Sequence, residues 1–210
     1  MTKFAIRMSI LSKYLDANGQ MSADLQSAIS PSDALELIKA GYERYISNET
    51  IEEPPFDDES SESTLHQFPY AAILSCIDAR LSITDIFDDN NGGLSVARIA
   101  GNIASTEITG SLEYAVKVAG AKHILVLGHT RCGAVASAKS STHLGPNLKS
   151  LISHVHTGDS DDLDICTVNN VRNTCEVLRR SEILAAAINK NEVEISGAVY
   201  DVSTRSVTFL

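Results

Sequence analysis

Basic residues are scarce in this chain: 17 lysines and arginines stand against 27 aspartates and glutamates, a formal net charge of −10 at pH 7. That balance argues against nucleic acid as a partner, because neutralising phosphates requires a basic face, and its main physical consequence is solubility. No apolar run approaches the length of a membrane span, so no membrane association is expected. Near the N-terminus Lys3 and Arg7 precede Met8-Ser9-Ile10-Leu11, but Ser12 and Lys13 break that run short of signal-peptide length. A cytoplasmic location is the expectation. Internal repeats are lacking too, and the one biased tract is an acidic, polar stretch over 47–63 whose composition is that of a mobile loop.

What is present suffices for one core: 210 residues at 43% hydrophobic content read as a single domain over 31–210, preceded by an extension over 1–30. In the extension Phe4, Met8, Leu11 and Leu15 fall at helical spacing. Two roles stand open for it, packing on its own subunit or serving as an arm onto a partner. Ser30 reads as an N-cap with Pro31 at the first helical position, and Leu35, Ile38, Tyr42, Tyr45 and Ile46 give the following helix one apolar face. Beyond the acidic tract, strands are expected at 70–74, 94–99 and 124–127, and helices at 83–87, 107–119, from 130 to 138, at 145–157 and over 168–190 with a break near Ser181. Gly120 is expected as a left-handed cap, and strands at 193–200 and 205–209 close the chain as a pair. Strand and helix alternate through the middle. The fold class is therefore α/β, a mostly parallel central sheet flanked by helices, with a helical N-terminal extension and a C-terminal edge hairpin.

Two short stretches make sense only together: Ser75-Cys76-Ile77-Asp78-Ala79-Arg80 and Gly128-His129-Thr130-Arg131-Cys132-Gly133. Each follows an apolar run, so both sets of polar side chains emerge where a strand ends, the usual place for a site in an open α/β sheet. Cys76, His129 and Cys132 supply two thiolates and an imidazole, a ligand set of catalytic zinc that leaves a fourth position free. Asp78 can orient a group at that position if its carboxylate is itself held, and the fork of Arg80 is the natural clamp. Released, Asp78 would become a fourth ligand and close the site. A purely structural zinc site usually has closely spaced ligand pairs on both sides, whereas Cys76 stands far from its partners and the Asp-x-Arg pair has no structural duty. Cys166 and Cys175 are left as reduced thiols. His154 and His156, two apart on a helix, point to different sides and are not read as ligands.

The Cys-x-Asp-x-Arg and His-x-x-Cys segments, with Gln67-Phe68-Pro69, Val96-Ala97-Arg98-Ile99-Ala100-Gly101-Asn102, Gly110 to Val116 and Ser196 to Asp201 around them, resemble the β-class carbonic anhydrases over residues 31–210. The resemblance implies reversible hydration of carbon dioxide to bicarbonate by zinc-bound hydroxide, one Zn2+ per subunit, and a homodimer or tetramer. It also implies a substrate pocket with Gln67 and Tyr114, beside which the Gly133 amide can receive an anion's oxygen. Two other readings share the motifs: a carbonyl sulfide or carbon disulfide hydrolase on the same scaffold, and a non-catalytic bicarbonate-binding protein with structural zinc. Ala79 stands where many members have serine and Ser95 where some have phenylalanine, which puts substrate range at issue. Ile73 replaces the tryptophan of bicarbonate-gated members and favours an open site.

Overall fold

Alternation of fully buried residues decides the architecture. In the computed structural model, which describes residues 13–14, 21–51, 65–89, 92–140 and 145–210, strand β1 (Ala71–Ser75) sends Ala71 and Ile73 into one apolar cluster and Ala72 and Leu74 into another. Strand β3 (His123–His129) does the same with Leu125 and Leu127 against Ile124 and Val126. Strands buried on both faces need a layer of helices on each side. With β2 (Leu94–Arg98), β4 (Glu194–Tyr200) and β5 (Val207–Phe209) they form one sheet in the order β2-β1-β3-β4-β5, parallel except for the antiparallel β4–β5 edge.

The helices are α1 (Ala23–Ala28), α2 (Pro31–Ser47), α3 (Ile83–Ile86), α4 (Thr106–Lys117), α5 (Gly133–Lys139), α6 (Pro146–Ile152), α7 (Leu163–Arg179) and α8 (Glu182–Asn189), and a 3-10 turn spans Ala100–Asn102. Among the described residues no helix is long and apolar enough to cross a membrane. The helix expected over residues 4–15 lies outside the described residues except for 13–14, which are helical, and so does the acidic tract from 52 onward. Ser30 caps α2 as its sequence predicts, its Oγ accepting from the Asp33 amide at 3.1 Å. The buried face of α2 is rotated from the expected one: Ala34, Leu37, Ile38, Gly41 and Arg44 face inward, whereas Leu35 is half-buried and Ile46 exposed. Gly41 causes this by permitting close approach, since a Cβ there would lie 1.8 Å from the Phe87 carbonyl oxygen. Arg44 is drawn in by Asp88, to which its Nε donates, while its Nη2 donates to the Asp88 carbonyl at 3.0 Å.

Other boundaries move for local reasons. The helix expected from Thr130 starts at Gly133, because Arg131 adopts a left-handed φ of 57° and Cys132 becomes the N-cap. The helix expected to reach 157 stops at Ile152, which takes His154 and His156 off it. Asp162 Oδ1 caps α7, accepting from Asp164 N at 2.8 Å, so that helix begins at Leu163 rather than at 168. The break at Ser181, the left-handed Gly120 (φ 85°) and the terminal antiparallel pair stand where expected.

Candidate metal centre

Because β1 and β3 are parallel neighbours, with Ser75 opposite Leu127, the residues that follow them leave the same edge of the sheet. Cys76 comes just after β1, His129 is the last residue of β3, and Cys132 precedes α5. The ligand atoms of these three residues lie within 4.8 Å of one another, and all three residues are buried. The Thr130 carbonyl, 2.9 Å from His129 Nδ1, fixes a tautomer with the proton on Nδ1. Nε2 is then a bare lone pair, buried and without a hydrogen-bond partner. A buried orphan acceptor beside two sulfurs is costly unless something electrophilic fills the gap. Two sulfurs and an imidazole are the donor set that suits zinc, so the residues fit that ion.

The two sulfurs are strongly linked. Cys132, whose sulfur lies beside that of Cys76 in the cluster, pushes the Cys76 thiol down against the effect of burial, and the Gly101 amide that donates to its sulfur adds to this. The same proximity, with burial, pushes Cys132 up. A metal held there would take both sulfurs as thiolates.

Asp78 is gripped at both oxygens. Arg80 Nε donates to Oδ1 and Nη2 to Oδ2, each at 2.8 Å, and the Arg80 amide adds a bond to Oδ1 at 3.0 Å. Arg80, chiefly by these side-chain bonds, holds the carboxyl well below the usual range. Oδ2 lies 3.9 Å from His129 Nε2, beside the cluster. Arg98, reaching over from the end of β2, donates to the carbonyls of Cys76 (2.9 Å) and Asp78 (2.7 Å), so the loop that carries both residues is fastened from its backbone.

Some residues at the centre carried no sequence signal for this purpose. The Gly101 amide donates to Cys76 Sγ at 3.3 Å, from a left-handed φ of 74°. Only the glycine after a strand hinted at it. Thr130 fixes the imidazole through its carbonyl and receives the Val202 amide on Oγ1 at 3.1 Å, a contact with the far end of the chain. Of the pocket candidates, Gly133 begins α5 with open space where a Cβ would be, next to Cys132. Gln67 is exposed in the segment before β1, and Tyr114 is exposed on α4. Cys166 and Cys175 are free and buried, the former donating to the Ser160 carbonyl at 3.1 Å.

A family model described as carbonic anhydrase matches residues 71–207. Carbonic anhydrase 2 of Mycobacterium tuberculosis is 34% identical over 116 residues, covering 55% of this chain and 56% of that protein. A carbonic anhydrase of Pseudomonas aeruginosa is 28% identical over 163 residues, covering 69% and 74%. The aligned part thus spans little more than half the length of the mycobacterial relative. Among solved structures, one of two tetrameric β-carbonic anhydrases from Sordaria macrospora superposes with a TM-score of 0.64 at 25% identity, covering 70% of this chain and 83% of that one. The Coccomyxa β-carbonic anhydrase, at 24% identity, has the same fold with a TM-score of 0.62 over 90% and 85% of the two chains. The family match runs through β1, β3 and every residue of the Cys-His-Cys cluster, and the chain belongs to the β-class carbonic anhydrase family.

Proposed function

We propose that this protein catalyses the reversible hydration of carbon dioxide to bicarbonate and a proton, with one zinc ion per subunit held by Cys76, His129 and Cys132. The observation that carries the reading is the buried, unpartnered Nε2 of His129 between two sulfurs, next to a carboxylate whose oxygens are both engaged elsewhere. Zinc supplies what no side chain here can, a water made acidic enough, from a pKa of about 16 toward about 7, to be a nucleophile at neutral pH.

The chain's own residues do the rest. Asp78, held as a carboxylate by Arg80, is an acceptor only; its Oδ2 would accept a hydrogen bond from the attacking group, which keeps its proton, and so turn a lone pair toward the substrate carbon. Arg80 keeps that carboxylate off the fourth position, which makes the resting site an open one. Gly133, having no side chain, leaves space in which an anionic oxygen meets its amide. Gln67 and Tyr114 are assigned to the substrate side on the resemblance. A homo-oligomer fits the surface: β2 is an edge strand, and Ile77, Val96, Tyr114 and Val118 are large apolar side chains left exposed. The Sordaria relative is tetrameric.

Stopped-flow hydration with a pH indicator tests the reaction. Zinc-loaded protein should exceed the buffer rate between about pH 7 and 9, the range in which a metal-activated water ionises; a rate equal to buffer would sink the reading. Asp78→Ala should lower the rate with zinc content unchanged, which a structural zinc site does not predict.

A further inference from the structure

Behind the metal centre lies a fully buried asparagine, Asn170 on α7, which neither the motifs nor the proposed reaction accounts for. Its Nδ2 donates to the Gly101 carbonyl at 2.7 Å, and its Oδ1 accepts from the His156 amide at 3.0 Å. Gly101 in turn donates its amide to Cys76 Sγ at 3.3 Å. The glycine has no slack: a Cβ on it would come within 3.1 Å of both Ala134 Cβ and Val155 Cγ2. It is wedged between the residue two beyond Cys132 and the segment that Asn170 also holds. A buried amide costs free energy unless both its ends are paired, and here each end is spent on backbone that borders the cluster.

We infer that Asn170 is a positioning residue for the metal centre: by pinning Gly101 it aims the Gly101 amide at the Cys76 sulfur and so sets the affinity and electronic character of the thiolate. Hydrogen bonds to a ligating sulfur draw charge from it, and partners of this outer kind typically change metal affinity by about 10–100-fold when removed. The inference rests on the zinc reading above, and its test is independent of turnover.

Asn170→Asp preserves the shape and the acceptor for His156 but lacks the donor to Gly101; Asn170→Ser is a smaller, uncharged second variant. Asn169→Ala is the control, because its neighbouring Nδ2 binds the Thr157 carbonyl at 3.0 Å and does not touch Gly101. Zinc affinity is read by competition with a chromophoric chelator, the thiolate-to-metal charge-transfer band after cobalt substitution, and thermal unfolding of the metal-free proteins gives the structural cost. The expected result is zinc binding weakened by about 10-fold or more in both Asn170 variants, with a shifted cobalt band, while Asn169→Ala keeps the affinity and band of the parent. Parent-like affinity and band in a folded Asn170 variant would overturn the inference, as would an equal loss in Asn169→Ala. Failure of the parent itself to bind zinc would instead sink the metal reading.

Discussion

Replacing Asp88 by asparagine isolates one charge at the most deeply buried ion pair among the described residues. Arg44 and Asp88 have side chains only 4% and 3% exposed. Asparagine keeps the shape, tolerates the left-handed φ of 45° at this position, and still offers an acceptor to Arg44 Nε and to the Ile51 amide at 3.3 Å. What it removes is the counter-charge. Among the described residues no other carboxylate hydrogen-bonds to the guanidinium, which already carries one unpartnered nitrogen, Nη1. Breaking a buried pair this way costs about 3–5 kcal/mol, and at about 2–4 °C per kcal/mol for a chain of this size the midpoint should fall by about 6–20 °C. Urea unfolding should show a lower midpoint at an unchanged slope. Adding Arg44→Met to Asp88→Asn should restore much of the loss, since an apolar side chain of similar length needs no partner. A single-variant loss under about 1 kcal/mol, the scale of a surface pair, or a double variant no better than the single, would refute this account. Hydration per bound zinc, measured at a temperature where both proteins are folded, should not change.

Arg80→Lys offers one point charge where a fork gripped two oxygens, so Asp78 should gain freedom to enter the fourth position; hydration should drop about tenfold or more with zinc content intact, and full activity would show the clamp unnecessary. Burial, helped by the Lys39 charge, pushes His123 down to about 4, with Ser196 Oγ 2.7 Å from Nε2. Its unfolded form takes a proton near pH 6.5, so stability present above that pH is lost as pH falls toward 4, by up to about 3 kcal/mol, and His123→Gln should flatten that limb in acid titrations of stability. Asp89 has the opposite sign: burial pushes it up to about 6, the folded state takes its proton first, and stability from this group grows as pH falls from about 6 to about 3.8; Asp89→Asn should therefore steepen the acid loss. Stripping zinc should lower stability by about 4 kcal/mol relative to a free zinc concentration a thousandfold above the Kd, and the unfolding midpoint with it; an identical midpoint with and without chelator would argue against the metal.

Much of this was legible in sequence because the ligands sit next to strong local signals. Cys76 and His129 follow runs of buried apolar residues, and a strand end fixes where the next side chain goes. Pro31 and Ser30 announced α2 for a similarly local reason. The rotated face of α2 was not legible, because it depends on Phe87 and Asp88, some forty residues away, which only the folded chain brings against Gly41 and Arg44. Arg131 hid the true start of α5, since a left-handed arginine carries no composition cue. Gly101 and Asn170 were invisible as a pair for the same reason as Arg44 and Asp88: a single hydrogen bond between distant segments leaves no periodicity.

These long-range contacts also divide the molecule into two ends with different duties. Arg44, Asp88, Asp89 and His123 cluster around the beginnings of β2 and β3, where none touches the metal ligands, while Asp78, Arg80, Arg98, Gly101 and Thr130 surround the ends of β1 and β3. Between them run two strands with every residue buried. None of the first group shares a hydrogen bond with any of the second, and substitutions that are well separated and share no partner usually act independently, so a charge removed at the first end should appear as lost stability with the rate per zinc unchanged. A donor removed at the second should appear in metal affinity and rate at little cost to the midpoint of the metal-free protein. The opposite pattern at either end would mean that the packed sheet between them passes strain from one to the other, and the site would then have to be understood as a property of the whole core.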